Sequence, residues 1–363
     1  MAAIQAQAEE LGQVIFAEYS HEPAERLAAK LIGLMPDGLE HVFFSDSGST
    51  SVEVALKMAL GYWRHRGRPR HRIIVMKGGY HGDTFGAMSV GTRGIFTLGF
   101  ERLLFDVAPI PFPAQGAEEV TLQALAAICQ QENAAALIVE PLVLGAGGMR
   151  MYSPKVLADL KRICDRYEVL FIADEVMTGW GRTGTMFACE QAVFTPDIAC
   201  YSKGLTNGSL PLAVTMCRHE IFEAHYSEDR QRTLFHSSSF TANPIACAAA
   251  LANLEVWEQE RVHAKIAALE LLQTEQLNAF RDDARFENIR QTETITAMDL
   301  NVRDRGYLSD VGPWLSASFR ASSVLLRPLG NTIYVLPPYC VTREDLSQVY
   351  GAIRTAVDAL GRR

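Results

Sequence analysis

Short apolar segments alternate with amphipathic ones along residues 1–255. Apolar runs rich in Val, Ile and Phe, each ending at Gly, Asp or Ser, predict strands over 41–45, 72–76, 136–139, 169–173, 198–201 and 212–217. Apolar side chains at helical spacing predict helices over 51–63, 153–167 and 244–259. Because apolar strands alternate with helices, we expect a doubly wound α/β domain whose ligands bind beyond the carboxyl ends of the strands.

The pattern changes near residue 256. A charged helical pattern covers 258–277, and another helical pattern covers 343–360 at the end of the chain. Between them lie short apolar segments at 295–302, 324–328 and 333–337. This arrangement predicts a smaller α+β domain over 256–363, after a large domain over 1–255.

Composition excludes several classes of protein. With 34 basic and 42 acidic residues the net charge is −8, which disfavours a nucleic-acid partner. No apolar run approaches the roughly 18 residues that a membrane span needs, and the first residues do not resemble a secretory signal. The seven cysteines are scattered without CxxC spacing, so we expect no metal site and no disulfide framework. These features favour a reduced, cytoplasmic protein.

A carboxylate ends one of the apolar runs. Residues 169–173 lead directly into Asp174 and Glu175 and then into a Gly-rich turn. A carboxylate at the tip of a buried strand is costly unless a cationic or hydrogen-bonding partner lies there. Asp174 is therefore a candidate site residue, although a strand-end Asp can equally cap the next helix.

A lysine ends another apolar run. Of the seven lysines, Lys203 alone follows an apolar strand pattern and precedes a Gly-rich turn. Burial there would supply the neutral amine that attacks a carbonyl carbon, whereas a surface lysine after a strand is the alternative. Together, Asp174 and Lys203 suit pyridoxal phosphate, which needs a carboxylate for its pyridine nitrogen and a lysine for its aldehyde.

A phosphate-binding turn is expected beside such a pair. Residues 45–60 comprise a strand end, a Gly/Ser-rich turn and the start of a helix. The backbone amides of Gly48, Ser49 and Thr50 could bind the phosphate there, although Ser and Thr are also common helix caps.

The turn after the strand at 72–76 offers two further candidates. Tyr80 could stack on a cofactor ring or simply cover the core, and Asp83 could accept a hydrogen bond from a substrate or cap a helix. The spacing of these residues does not decide between the alternatives.

The motif IADEVMTGWGRTG, followed by YSKG, resembles the class III (subgroup II) aminotransferases among the fold-type I pyridoxal phosphate enzymes. The resemblance covers essentially the whole chain. The stretches YHGDTFGAMSVG, EPLVLGAGGMRMY, FACEQAVFTPDIAC and NPIACAAALANL are similar, more narrowly, to the members that serve biotin biosynthesis. The resemblance implies a seven-stranded, mostly parallel sheet domain and a homodimer. It also implies amino transfer from S-adenosylmethionine to 8-amino-7-oxononanoate, giving 7,8-diaminononanoate.

The same resemblance assigns roles to individual residues. Lys203 and Asp174 are the expected catalytic residues. The expected cofactor-binding residues are Gly48, Ser49, Tyr80, Glu140, Asp174, Lys203 and, from the neighbouring subunit, Ser239. The expected substrate-binding residues are Tyr80, Asp83, Lys203, Ser238, Arg327 and Tyr334.

The sequence leaves two interpretations open for each of two arginines. Arg327 matches the arginine that holds the substrate carboxylate, a task that suits a forked guanidinium, but an exposed structural arginine is the alternative. Arg182 could likewise hold a carboxylate or stabilise its own turn.

Two departures from the family pattern keep other functions open. The stretch HGPTF of many members is HSSSF at 236–240, which leaves the amino donor undecided. Family members also carry a further N-terminal segment, so we expect part of the small domain to be missing here. The alternatives are another class III transaminase, acting on an ω-amino acid or a diamine, and a catalytically impaired protein that binds pyridoxal phosphate.

Overall fold

The computed structural model describes residues 1–360, which form two compact units. The first unit comprises residues 1–142, 152–180 and 187–260. The second comprises 143–151, 181–186 and the chain from Arg261 onward. A domain boundary at 255/256 stays a prediction; the second unit also takes in two short segments that precede this position.

A seven-stranded sheet forms the centre of the first unit. Its strands are β1 (His41–Ser45), β2 (Arg72–Met76), β3 (Ala108–Ile110), β4 (Ala134–Val139), β7 (Leu170–Asp174), β8 (Ile198–Tyr201) and β9 (Ala213–Cys217). Their order is β1-β9-β8-β7-β4-β2-β3. The pairs from β3 to β8 run parallel, whereas β9 runs antiparallel to both β8 and β1. The predicted mostly parallel, seven-stranded α/β architecture is therefore confirmed.

Helices follow most strands of this sheet. They are α1 (Ala2–Glu10), α2 (Glu22–Leu34), α3 (Gly48–His65), α4 (Phe85–Val90), α5 (Glu118–Cys129), α6 (Pro154–Arg166), α7 (His219–His225) and α8 (Pro244–Gln259). Strand β4 is buried at all six positions and β7 at all five, because helices cover both faces of a parallel sheet. Side chains of α3 contribute much of the core against the strands. No helix of residues 1–360 is both long and apolar enough to cross a membrane.

The second unit has an α+β composition. Its helices are α9 (Val262–Asn278), α10 (Val311–Ala321) and α11 (Arg343–Leu360). Its strands are β5 (Val143–Leu144), β6 (Arg150–Met151), β10 (Phe286–Thr292), β11 (Ile295–Leu300) and β12 (Thr332–Val335). Strands β10, β11 and β12 form an antiparallel sheet in that order, and Phe280, Phe319 and Tyr350 are buried in the core against it.

Two predicted segments of the C-terminal region differ from the structure. The helix predicted over 258–277 is interrupted, because α8 ends at Gln259 and Glu260 is extended before α9 begins. The run EQER at 258–261 offers no apolar side chain that packing could hold in a helix. The apolar segment at 324–328 is irregular: Leu325 is 97% exposed, and Pro328 has no amide hydrogen for a sheet.

Candidate active site

Five predicted site residues of the first unit lie at the ends of four neighbouring strands: Tyr80, Asp83, Glu140, Asp174 and Lys203. In sheet order these strands are β2, β4, β7 and β8, and all four run parallel. Asp174 ends β7 in register with Cys200 of β8, three residues before Lys203. Glu140 directly follows Val139, which pairs with Ala173. The carboxyl edge of the sheet therefore gathers these side chains, where α/β sheets bind ligands.

Asp174 lies in a buried pair with a histidine that the sequence analysis did not single out. His81 Nδ1 lies 2.7 Å from Asp174 Oδ2, and each residue is 4% exposed. The other oxygen, Oδ1, accepts a hydrogen bond from the amide of Val176 at 3.1 Å. Burial acts to lower the pKa of His81, but the hydrogen bond and the charge of Asp174 outweigh it and the pKa is raised. His81 and the Val176 amide therefore fix the orientation of the Asp174 carboxylate at the end of β7.

Glu175, next to Asp174, has a different role. Its carboxylate accepts hydrogen bonds from the Thr178 hydroxyl and from the amides of Ala188 and Cys189, at 2.9–3.1 Å. Burial raises the pKa of Glu175 although these donors oppose the shift. Its oxygens hold the backbone at 188–189, so Asp174 is the carboxylate of the pair that is available for a ligand's cation.

Lys203 lies in a strained and firmly held turn. Its φ of 38° is in the left-handed region, which costs a non-glycine residue about 1–3 kcal/mol. The Asn253 side-chain amide donates to the carbonyls of Gly204 and Leu205 at 2.9 and 3.1 Å. A Cβ on Gly204 would come within 2.5 Å of the Trp180 ring, so glycine is needed there. Lys203 is exposed in the single chain, and its catalytic role stays a prediction.

The expected phosphate-binding turn opens α3. The Ser47 hydroxyl accepts a hydrogen bond from the amide of Thr50. Of the three amides expected to bind the phosphate, that of Thr50 is therefore already occupied. Gly48 and Ser49 remain as the first two helical residues, and amides at these positions have no acceptor within the helix. A helix start of this kind attracts an anion through its amides and its dipole.

The turn after β2 packs directly on this helix start. Gly82 has a φ of 126°, and a Cβ on it would come within 2.0 Å of the Ser49 hydroxyl oxygen. That oxygen accepts a hydrogen bond from the amide of Asp83 at 3.2 Å. Only glycine lets the two turns approach so closely, and the contact fixes the position of Ser49.

Tyr80, Asp83 and Glu140 are linked to one another. The Tyr80 amide donates to Glu140 Oε1 at 2.9 Å, and the Tyr80 hydroxyl donates to Asp83 Oδ2 at 2.9 Å. Glu140 is buried, Tyr80 is half-buried and Asp83 is exposed. The structure thus brings together three residues that the family resemblance assigns to cofactor and substrate binding.

Ser238 and Ser239 lie in an exposed segment of the first unit. The Ser238 hydroxyl donates to Asp46 Oδ2 at 2.5 Å, directly before the turn that opens α3. Gln13 donates to the carbonyl of Ser239, whose side chain is exposed. The role of Ser239 in a neighbouring subunit stays a prediction.

The remaining candidates belong to the second unit. Arg327 is exposed and donates to the Tyr307 hydroxyl at 3.0 Å. Burial raises the pKa of Tyr334, and the nearby charge of Arg327 partly offsets the shift. Arg182 donates to the carbonyl of Pro337 at 2.5 Å and lies 4.6 Å from the centre of the Tyr339 ring. These contacts favour the structural interpretation of Arg182.

The fold is that of a transaminase, and the chain belongs to the class-III aminotransferase family, whose model matches residues 1–357. Among its relatives is the adenosylmethionine-8-amino-7-oxononanoate aminotransferase of Synechococcus elongatus, 48% identical over 99% of this chain and 86% of that protein. The predicted family and transaminase class are confirmed.

Solved structures agree with this assignment. The adenosylmethionine-8-amino-7-oxononanoate aminotransferase of Methanocaldococcus jannaschii superposes with a TM-score of 0.93 at 32% identity, covering 99% of this chain and 84% of that one. An amine transaminase from an uncultivated Pseudomonas species, solved in a PLP-bound form, superposes with a TM-score of 0.89 at 33% identity. That match covers 98% of this chain and 85% of that one.

Proposed function

We propose that this aminotransferase moves an amino group from S-adenosylmethionine to 8-amino-7-oxononanoate, forming 7,8-diaminononanoate in biotin biosynthesis. The observation that carries the proposal is the 48% identity, over nearly the full length, to a relative named for these two substrates. The buried His81–Asp174 pair beside the Lys203 turn supports the chemistry.

Pyridoxal phosphate is the proposed cofactor, and the residues present fit it. Gly48 and Ser49 offer amides for the phosphate, and Asp174 offers a carboxylate for the pyridine nitrogen. Lys203 offers an amine for the aldehyde, and Tyr80 and Glu140 would flank the ring. When bound, the cofactor supplies an electron sink for a carbanion at the substrate carbon.

The protein's own residues would then position groups and move protons. Asp174, held by His81 and by the Val176 amide, would favour a positive charge on the ring nitrogen. The Lys203 amine would accept the proton that the amine-bearing substrate carbon loses and would donate it to the carbon that carries the cofactor's aldehyde. The strained turn and Asn253 fix the backbone at Lys203 and Gly204, so that the amine moves only within the reach of its flexible side chain.

Substrate recognition is proposed for the remaining candidates. Arg327 would bind the carboxylate of a substrate, with Tyr334 beside it. Asp83 and Ser238 would contact the amino donor, and the Ser238–Asp46 hydrogen bond fixes the segment that departs from the HGPTF pattern.

We also propose a homodimer in which Ser239 reaches the neighbouring site. Apolar side chains of 85–105 support it, since large exposed apolar surfaces mark interaction sites. These residues, between 41% and 72% exposed, are Phe85, Ile95, Phe96, Leu98, Phe100, Leu103 and Phe105. A cytoplasmic location is proposed from the seven cysteines, all of which are free thiols.

The amino-donor half-reaction tests the proposed substrates. The holoenzyme is mixed with S-adenosylmethionine, and the absorbance of the bound cofactor is followed as it converts to the pyridoxamine form. Conversion, followed by its reversal on adding 8-amino-7-oxononanoate, is expected. Conversion by alanine or a diamine, with no response to 8-amino-7-oxononanoate, would instead support another class III transaminase. Cofactor binding with no conversion by any donor would indicate an impaired enzyme.

A further inference from the structure

Two imidazoles meet at the edge of the sheet opposite to the active site. Strand β1 runs in the same direction as β8, so its first residue, His41, lies at the amino-terminal edge of the strands. His41 pairs in register with Cys217, which brings it close to His219 at the start of α7. His41 Nε2 and His219 Nδ1 are 3.0 Å apart.

A carboxylate completes this cluster. One ligand atom from each of Glu40, His41 and His219 lies within 4.8 Å of the others. We propose that these three residues bind a divalent transition-metal ion of the Zn²⁺ type, at a site separate from the transaminase chemistry.

The distances suit such an ion. Two nitrogen ligands, each about 2.0–2.1 Å from a tetrahedral zinc, lie roughly 3.3 Å apart. The observed separation of 3.0 Å therefore needs only a few tenths of an ångström of adjustment. A contact of this length also requires at least one ring to present a lone pair, which is the form that binds a metal. Glu40 is exposed, so its carboxylate is free to turn toward the ion.

The surrounding side chains hold the two rings in place. Phe222 stacks flat on His41, with ring centroids 3.9 Å apart and planes inclined by 3°. His219 Nε2 lies 3.9 Å from Glu223 Oε1 on the next turn of α7. Histidines that bind a metal through one nitrogen commonly have a carboxylate or carbonyl partner at the other, which fixes the tautomer. His219 has such a carboxylate within ion-pair distance, at 3.9 Å, rather than in a hydrogen bond.

The ligand set selects the kind of metal. Imidazole nitrogens suit zinc, copper, nickel and cobalt, whereas magnesium and calcium prefer oxygen ligands. Two histidines and one glutamate leave at least one position for water on a tetrahedral ion. An ion bound there would join β1 to α7 and stabilise the folded chain in proportion to its occupancy.

Titration of the holoenzyme with Co²⁺ tests the site. After removal of unbound cofactor, we expect one Co²⁺ per chain, visible ligand-field absorption and displacement by Zn²⁺ but not by Mg²⁺. His41→Gln and His219→Gln should each weaken binding at least tenfold. Glu223→Gln should weaken it about tenfold, as loss of a histidine's carboxylate partner does.

His71→Gln is the matched control, because His71 is an exposed histidine of the same unit outside the cluster. Co²⁺ affinity that is equal in His41→Gln, His219→Gln and the control would overturn the proposal, as would displacement by Mg²⁺. If His41→Gln fails to fold, His219→Gln decides, since the His219 side chain is 59% exposed and its loss leaves the core unchanged.

Discussion

His81 and Asp174 form a buried hydrogen-bonded pair 2.7 Å long at the carboxyl end of the sheet. Because neither side chain contacts solvent appreciably, the orientation of Asp174 depends on His81. The first prediction follows from this dependence.

His81→Gln should lower kcat about 10–100-fold, because a hydrogen bond to a charged group contributes about 1.5–3 kcal/mol. The pH dependence of kcat should also shift, since the raised pKa of His81 reflects its interaction with Asp174. Steady-state rates across pH measure both effects. His71→Gln, at an exposed position, should change neither. An unaltered pH profile in His81→Gln would contradict a positioning role.

Lys203→Ala should reduce turnover at least ~10³-fold, equivalent to about 4 kcal/mol of barrier, because the variant loses its proton-transferring amine. The phosphate-binding amides remain, so the variant should still bind cofactor non-covalently. Single-turnover rates and equilibrium dialysis separate the two effects. Lys77→Ala, an exposed lysine after β2, is the control. Full turnover by Lys203→Ala would refute the mechanism.

Gly82→Ala should destabilise the protein by about 1–3 kcal/mol and weaken cofactor binding. The added Cβ would overlap the Ser49 hydroxyl, and the φ of 126° disfavours any L side chain. Denaturant unfolding and cofactor titration measure the two effects. Gly94→Ala is the control, because a Cβ there meets no atom within 4 Å and its φ is not in the left-handed region. Equal stability of the two variants would show that the close approach of the turns is unimportant.

Leu98→Asp combined with Leu103→Asp should convert the proposed dimer to a monomer. These side chains are 72% and 65% exposed in the single chain, and burying a carboxylate in an apolar interface is costly. Sedimentation measures the mass. Leu325→Asp, at a side chain that is 97% exposed in the second unit, should leave the mass unchanged. A double variant that keeps the mass of the unsubstituted protein would place the interface elsewhere.

We expect Glu293 to lower the free energy of unfolding as the pH rises from about 4.5 to about 7. Burial, with the neighbouring Glu270, raises the pKa of Glu293 to about 7 from an ordinary value of 4.5. The folded state therefore keeps a proton that the unfolded chain has lost, so this contribution is complete below pH 4.5 and is lost by about pH 7.

Glu293→Gln should remove that fall. Because Glu293 is only partly buried, we expect a difference of about 1 kcal/mol between the pH dependences of the two proteins, after allowing for solvent screening. Urea unfolding at pH 5 and pH 7.5 measures it. Glu287→Gln, on the same small sheet, is the control; a parallel pH dependence of Glu293→Gln and the control would contradict the assignment.

Local pattern was enough to predict the strand ends but not every partner of the residues found there. Asp174 and Lys203 end apolar runs, so the sequence placed both at the carboxyl edge of the sheet. His81 lies between Tyr80 and Asp83 in a turn that was already under consideration, yet only the folded sheet brings it to Asp174, 93 residues away. A polar residue flanked by glycines in a strand-end turn was the available signal.

Other features depend on contacts that no local pattern encodes. The apolar segment at 324–328 fails to form a strand because no neighbouring strand accepts it and Leu325 points to solvent. His41 and His219 are separated by 178 residues, and neither lies in a spacing typical of metal ligands. The cluster exists only because β1 pairs with β9.

The position of β1 at the edge of the sheet also determines when this strand can pair during synthesis. Its single neighbour, β9, is the last of the seven strands to be made, so an emerging chain carries β1 unpaired until residues 213–217 have left the ribosome. Pairings between distant segments form slowly, and an unpaired apolar strand is a site of aggregation. The turn that opens α3 extends directly from β1. The nascent chain therefore cannot present a finished phosphate-binding turn until the first unit is almost complete, and HVFFS is the segment that a chaperone would have to protect until then.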